Sequence, residues 1–232
     1  MPFITPARAD HLMRWVMLAI AQFVVLTLLA MLFYAGGNQL DAAAPGYSFT
    51  RNFFSSLGLT VAYGQPNTLS ASLFFIAMTG AGLGLIAFAL GFPACVSSTP
   101  LSKWAAWLGS AVAILSGACF IGVALTPANL DRPRHLFFVY WAFQLFPAAV
   151  LFYVTAILLD KNYPNRHALL FAVFGAALVG YVWLINAGPN IDTLKGLMIQ
   201  AVGQKIIAYF SLITVFHQAR IARTMLPPQK EP

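Results

Sequence analysis

Six separate stretches of about twenty mostly apolar residues dominate this chain of 232 residues. A helix needs roughly 20 apolar residues to cross the hydrocarbon core of a bilayer. Charged residues make up only 8% of the chain, against about 25% in an average soluble domain. The pattern therefore predicts an all-α, polytopic membrane bundle with six transmembrane helices in a single integral membrane domain.

Polar or proline-containing connections separate the expected spans. The spans cover approximately residues 13–36, 69–91, 104–126, 136–159, 167–187 and 196–218. A long loop over residues 37–68 joins the first two spans, and a disordered tail is expected over residues 224–232. A cleaved signal peptide is the competing interpretation of the first span, because small residues follow it at Asp41–Ala44. However, its apolar run is longer than the roughly 7–15 residues of a signal sequence.

Lys and Arg are distributed unequally between the two ends of the expected helices. One side would carry Arg8, Arg14, Lys103, Lys161, Arg166, Arg220, Arg223 and Lys230, and the other Arg51, Arg132, Arg134 and Lys195. Cytoplasmic segments of membrane proteins are the richer in Lys and Arg. We therefore expect both termini in the cytoplasm and an outward-facing long loop. This scattering at span ends does not resemble a nucleic-acid-binding patch, and no nucleic acid partner is expected.

Lys205 is the most unusual residue, because it is a cation about ten residues inside the last span. At 1.5 Å per residue it would lie roughly 15 Å along the helix, where insertion of a cation costs about 2.5–3.5 kcal/mol. We expect it to face the bundle interior and to bind a ligand. The other polar side chains expected beside it are Gln200, Gln204 and Asn186. The alternative is a structural lysine that snorkels outward or pairs with Asp131 or Asp192.

The short loop before the fourth span is a second candidate region. His135 can act as an acid, a base or a metal ligand, and Asp131 lies one helical turn before it if the helix begins that early. Pro133 makes an extended lead-in equally compatible with the sequence. His135 and Arg134 are expected at the mouth of a ligand site, and Asp131 is expected among its ligand-binding residues. Because no HExxH, CxxC or carboxylate cluster accompanies His135, the sequence predicts neither a metal nor another cofactor.

Ser55 and Ser56 in the long loop are candidate nucleophiles if His135 comes within hydrogen-bond reach. The G-x-S-x-G elbow of many serine hydrolases is absent. A simpler interpretation is that one serine caps a short interfacial helix whose neighbouring Phe and Leu side chains dip into the lipid boundary. Arg51, just before this stretch, is a candidate contact for an anionic head group.

Gly80 and Gly84 lie one helical turn apart in the second span. Small residues at this spacing allow close helix contact in lipid. They predict either tight packing inside the bundle or a contact between copies of the chain in a homo-oligomer. Cys95 and Cys119 do not form a disulfide framework.

Several short motifs carry a family resemblance over residues 46–220. They are Asn52-Phe-Phe-Ser-Ser-Leu-Gly58, Pro66-Asn67, Gly117 with Gly122 and Pro127, His135 with Phe143, and Gly203-Gln204-Lys205. Together they resemble the DUF 998 family of prokaryotic six-helix membrane proteins and, more distantly, the damage-regulated-autophagy-modulator and FRAG-type membrane proteins. Ser56 stands where that family usually has an aspartate, and Lys205 where it often has an arginine. The resemblance implies six helices, an outward polar pocket and a link to lipid handling.

Three functions remain open on the sequence. The leading hypothesis is a multi-pass bundle of the bacterial inner membrane that binds a membrane lipid or another amphipathic anion in a polar cavity open to the non-cytoplasmic face. The second is an intramembrane hydrolase or acyl-transfer enzyme with His135 as base, Ser55 or Ser56 as nucleophile and Lys205 to stabilise charge. The third is a structural or assembly subunit of a membrane complex.

Overall fold

The computed structural model describes residues 4–96 and 98–226, and this part of the chain contains six long helices. They are α1 (Pro6–Leu32), α2 (Thr68–Gly91), α3 (Pro100–Leu125), α4 (Arg132–Leu159), α5 (Arg166–Ala187) and α6 (Leu194–Thr224). Each is long and apolar enough to cross a membrane. The predicted all-α, six-span membrane fold is confirmed.

Side chains at the N-termini explain where four of these helices begin. The capping residues are Thr5 for α1, Thr99 for α3, Asp131 for α4 and Thr193 for α6. Each side-chain oxygen accepts a hydrogen bond from a backbone N–H of the first turn, which has no partner within the helix. With Thr5 as cap and Pro6 in the first turn, α1 begins before Met13, where the apolar pattern placed its start. The Asp131 cap likewise includes Pro133 in the first turn of α4, so the extended alternative for this lead-in is wrong.

The long loop between α1 and α2 has structure of its own. It contains a 3₁₀ helix at Phe54–Gly58 and a hairpin of β1 (Val61–Ala62) and β2 (Gln65–Pro66). The two-residue turn of this hairpin has positive φ at Tyr63 (47°) and at Gly64 (92°). Such turns match the twist of the two strands and favour glycine. Residues 45–59 precede this hairpin and include the 3₁₀ helix. We call them the cap segment.

Connections that were expected to share a face of the membrane do meet. On one side, which we call the loop face, Gln39 of the long loop donates to Asp192 of the α5–α6 connection at 3.4 Å. On the opposite side, Arg223 near the end of α6 pairs with Asp10 of α1 at 2.6 Å. The helices therefore alternate in direction as six spans require. The cytoplasmic location of the termini and the bacterial membrane stay predictions.

The six helices pack in a ring that follows chain order, and α6 closes the ring against α1. Glycines set the closest approach of α2 to α3, since a Cβ on Gly82 would lie 2.6 Å from the carbonyl oxygen of Gly117. A Cβ on Gly84 would lie 2.7 Å from the Cβ of Ala19 in α1. Gly80 lies against the side chain of Gln22, which donates to the carbonyl of Ala77 at 3.0 Å. The Gly80/Gly84 seam is thus packed within the chain, and the homo-oligomer stays a prediction.

Aromatic side chains fill the interior of the ring towards the face opposite the loop face. Phe88, Phe92, Tyr153 and Phe171 form one cluster, with ring centroids 4.8–6.4 Å apart. Edge-to-face and offset contacts at such distances are favourable and leave little free space. Free volume in the bundle is consequently found nearer the loop face.

The last helix extends to Thr224 and ends in a cap at Met225. The expected disordered tail therefore overlaps residues 224–226, which the structure describes as the end of α6 and the turn after it. The remainder of that expectation, residues 227–232 with Lys230, lies outside the described residues.

Candidate functional site

Lys205 is buried on α6, with 1% of its surface exposed. Its Nζ donates to the backbone oxygen of Asn52 in the cap segment and to that of Ala201 at 3.2 Å. Three aromatic rings of the cap segment surround the ammonium group. Their centroids lie at 5.4 Å for Tyr47, 5.1 Å for Phe49 and 5.6 Å for Phe54. Ring faces within about 6 Å attract a cation, the more so when water is excluded.

No acidic side chain of the described residues forms an ion pair with Lys205. Asp131 pairs with Arg134 at 3.2 Å, and Asp192 accepts from Gln39. Both alternatives, an outward-snorkelling lysine and a pair with Asp131 or Asp192, are therefore wrong. Backbone carbonyls and aromatic rings compensate the charge instead, and they attach the cap segment to α6.

The cap segment is held at further points around the same lysine. Gln204 accepts a hydrogen bond from the backbone N–H of Phe54 at 2.7 Å. The Tyr47 hydroxyl donates to the carbonyls of Asn52 (3.2 Å) and Phe53 (3.1 Å). Burial, followed by the neighbouring Tyr209 and Tyr34 hydroxyls, raises the pKa of Tyr47, so this group remains a protonated donor.

Two buried asparagines organise the long loop, and the sequence analysis assigned them no role. The Asn52 side chain donates to the carbonyl of Gly37 at 2.7 Å and accepts from the N–H of Ser48 at 2.9 Å. The Asn67 side chain accepts from Ala35 N–H at 3.0 Å and donates to the carbonyl of Leu59 at 2.7 Å. An amide side chain can satisfy several loop backbone groups at once. Both asparagines belong to the short motifs that carry the family resemblance, and this was the sequence signal that could have identified them.

An apolar cavity of about 120 Å³ lies in the ring under the cap segment. We call it the inner cavity. Every long helix except α5 contributes to its lining, which includes Phe23, Phe74, Phe120, Phe143, Phe146 and Leu212. Its polar lining residues are Ser55, Gln204 and Ser211. The Ser211 hydroxyl donates to the Ile207 carbonyl at 2.7 Å within α6, and Gln204 accepts from Phe54 N–H. Ser55, at the loop end, is the polar lining residue whose side chain has no hydrogen-bond partner among the described residues.

A second cavity, of about 430 Å³, lies nearer the loop face over the C-terminal end of α3. We call it the outer groove. It is lined by Ser55, Thr60, Thr68, Ser72 and His135, together with apolar residues such as Phe75 and Ile76. Ser55, Phe74 and Val123 line both this groove and the inner cavity. The two spaces are therefore neighbours, separated by the same side chains.

His135 lies in the first turn of α4 and is 3% exposed. Its Nδ1 is 2.8 Å from the carbonyl oxygen of Thr126. A carbonyl only accepts, so Nδ1 carries the proton of the neutral ring and Nε2 carries the lone pair. No other described residue hydrogen-bonds to Nε2.

The two candidate nucleophiles differ in position. Ser55 lines both cavities, whereas Ser56 lines neither. No hydrogen bond joins either serine to His135 among the described residues. The 3₁₀ helix that follows Phe53 has no side-chain cap, and its Phe54 and Leu57 are buried in the protein. Ser55 and Ser56 lie within this short helix, as the interpretation of a helical turn requires, but neither caps it. The expectation that Phe54 and Leu57 dip into lipid is wrong.

The remaining predicted site residues lie outside the two cavities. Arg51 and Arg134 are exposed. The Gln200 amide donates to the Pro189 carbonyl at 2.8 Å, and that of Asn186 to Val182 in its own helix at 2.7 Å. Of the expected polar stripe, the structure brings only Gln204 and Lys205 together in the interior. Within the described part of the chain, no three His, Cys, Asp or Glu side chains are grouped as metal ligands.

Comparison with known proteins gives one finding. Residues 27–217 match the sequence model of a protein family, DUF998, which is described as a protein of unknown function. No curated protein and no solved structure matches the chain. The distant similarity to damage-regulated-autophagy-modulator proteins stays a prediction.

Proposed function

We propose that this chain, which belongs to the DUF998 family, binds a membrane lipid with a hydrocarbon chain in the inner cavity. The supporting observation is a cavity inside a membrane bundle whose lining is apolar except at Ser55 and Gln204, near the loop face, and at Ser211. Ligand sites are commonly apolar spaces with a few polar groups at one end. At about 120 Å³ the cavity has room for part of a lipid chain, with the polar end of the lipid towards Ser55.

The bilayer itself limits what the inner cavity can contribute to affinity. A lipid that moves from the bilayer into the protein exchanges one apolar environment for another, so the hydrophobic effect provides little driving force. Shape and contacts to the polar end of the lipid must then supply the selectivity. The polar groups around Ser55 are accordingly the important part of the proposed site.

Lys205 has a different role in this proposal from the one that the sequence suggested. An anionic ligand was favoured because a buried cation would attract it. The ammonium group is instead directed at the carbonyls of Asn52 and Ala201 and surrounded by rings. We propose that Lys205 positions the cap segment, including Phe54, which roofs the inner cavity.

An enzymatic alternative retains one supporting observation. Ser55 and His135 line the same groove, and the Nε2 lone pair of His135 is available as a base. Activity would require these side chains to move into hydrogen-bond contact on substrate binding. Under this alternative, Ser55→Ala would leave lipid occupancy intact and abolish a chemical conversion of the bound lipid.

Filling the inner cavity tests the proposal. Leu212 lines the cavity, whereas the adjacent Ile213 faces outward with 66% of its surface exposed. We expect lipids that co-purify with the wild type, measured by mass spectrometry, to be lost in Leu212→Trp and retained in the matched control Ile213→Trp. Identical lipid content in the wild type and both variants would overturn the proposal.

A further inference from the structure

We infer that the outer groove binds an uncharged, hydroxyl-bearing head group, such as the glycerol of a diacylglycerol, on a lipid whose chain lies in the inner cavity. The inference rests on the proposed function and adds the class of lipid. It depends on three features of the groove: its position next to the inner cavity, the chemistry of its lining, and its exposure on the outside of the bundle.

The two spaces are adjacent, because they share part of their lining. Ser55, Phe74 and Val123 border both spaces. A molecule with its chain in the inner cavity and its polar end near Ser55 would therefore reach the outer groove when the shared side chains move apart. At about 430 Å³, the groove is within the usual range of ligand pockets.

Among the described residues, the lining of the groove contains hydroxyl groups and no carboxylate, ammonium or guanidinium group. The side-chain hydroxyls of Ser55, Thr68 and Ser72 make no hydrogen bond to another described residue. The Thr60 hydroxyl accepts from Asn129 at 2.9 Å and keeps its own proton to donate. Hydroxyls both donate and accept, which suits another hydroxyl group.

His135 favours a donor on the ligand. Because its Nδ1–H is committed to the carbonyl of Thr126, the neutral ring presents an acceptor at Nε2. A ligand hydroxyl can donate to this nitrogen, whereas a fully ionised phosphate cannot. Phosphate recognition also typically uses arginine or lysine, and the arginines nearest to His135 in the chain, Arg132 and Arg134, do not line the groove.

The groove is exposed along the N-terminal third of α2. Ser72, Phe75 and Ile76 of α2 line it and are exposed on the outside of the bundle. This position is at the end of the helices, where lipid head groups meet the hydrocarbon core. A lipid could thus enter from the adjacent leaflet without crossing the bundle.

The test compares three lipids with identical chains, namely a diacylglycerol, a phosphatidic acid and a phosphatidylglycerol, on the purified full-length protein by native mass spectrometry. We expect the wild type to bind the diacylglycerol about tenfold more tightly than the phosphatidic acid, the effect of about one net hydrogen bond. His135→Asn retains a donor for Thr126 and removes the acceptor at Nε2. The double variant His135→Asn/Thr68→Val should reduce the preference for the diacylglycerol to near unity. Thr155→Val, a matched loss of a hydroxyl elsewhere on α4, should preserve this preference.

The outcomes separate the two proposals. Equal or tighter binding of either phospholipid by the wild type would overturn the head-group inference, and loss of all three lipids in Leu212→Trp would still support the chain site. An unchanged preference in His135→Asn/Thr68→Val would also overturn the inference. Failure of the wild type to bind any of the three would overturn both proposals.

Discussion

Lys205 illustrates how a single residue can be predicted in part. Its depth in α6 is evident from counting along an apolar run, and burial followed from the cost of a cation in hydrocarbon. Its partners did not follow, because the backbone oxygen of Asn52 and the rings of Tyr47 and Phe49 lie more than a hundred residues away in sequence. Because carbonyl oxygens and aromatic rings contact this ammonium group in place of a carboxylate, no Asp or Glu in the sequence indicates its partners.

We expect Lys205→Met to loosen the cap segment more than it destabilises the whole protein. The variant removes the hydrogen bonds to Asn52 and Ala201, yet the Asn52 oxygen keeps its bond from Tyr47, and the cost of burying a charge disappears. A hydrogen bond from a charged group contributes about 1.5–3 kcal/mol. Amide hydrogen exchange over residues 45–59 should therefore accelerate by about tenfold or more, with a smaller change in Tm.

Lys195→Met is the matched control, because Lys195 lies on the same helix and is exposed. It should leave exchange in the cap segment unchanged. Unaltered exchange in Lys205→Met would show that Gln204, Tyr47 and the asparagines hold the segment without the lysine.

Among the secondary-structure elements, the most demanding contact is that between α2 and α3. A Cβ on Gly117 would lie 2.9 Å from the carbonyl oxygen of Gly82 and from the side chain of Ile86. The helices must separate to accept even a methyl group. The sequence analysis identified small residues as contact points, but only the packing shows that Gly117 faces Gly82.

Gly117→Ala should destabilise the protein by about 1–3 kcal/mol, the usual cost of overpacking. Gly180→Ala is the control, since nothing lies within 4 Å of a Cβ at that position. Thermal unfolding in detergent, compared at fixed protein and detergent concentration, measures both. Similar Tm values for the two variants would contradict the close approach of α2 to α3.

The turn between α4 and α5 depends on one carboxylate outside the spans. Asp160 accepts hydrogen bonds from the N–H groups of Ser98 and Asn162, both at 2.9 Å, and from that of Tyr163 at 3.1 Å. Burial alone would raise the pKa of Asp160, but these hydrogen bonds outweigh it and lower the pKa below the ordinary value of 3.8. The carboxylate thus joins this turn to the segment before α3.

A carboxyl group with a lowered pKa in the folded state stabilises the protein fully above its unfolded pKa. That contribution decreases as the pH falls below about 4 and through the lower folded value. We expect Tm to fall in this range in the wild type, and Asp160→Asn to have a reduced Tm at neutral pH with a weaker fall in acid. Wild-type stability in Asp160→Asn at pH 7 would contradict this account.

At the scale of the whole molecule, the structure supports the grouping of connections into two faces. Gln39 with Asp192 and Arg223 with Asp10 each join segments expected on one side. We predict from the Lys and Arg distribution that the loop face is non-cytoplasmic. Single cysteines can be introduced at Lys195 or at Arg220 in a variant without Cys95 and Cys119. In intact cells, an impermeant thiol reagent should label the cysteine at position 195 and not the one at position 220. Labelling at position 220 alone would reverse the orientation.

The sequence by itself determined the membrane class, the six helices, the family and the pairing of connections on two faces. These properties depend on about twenty neighbouring residues at a time, because each span must be apolar and each helix must satisfy its own backbone hydrogen bonds in lipid. Only the tertiary structure decided what Lys205 binds, that Asn52 and Asn67 organise the long loop, and that Ser55 lies between the inner cavity and the outer groove. These features depend on how the helices turn towards one another and on the path of the loop above them, and both are set by contacts between residues far apart in the chain.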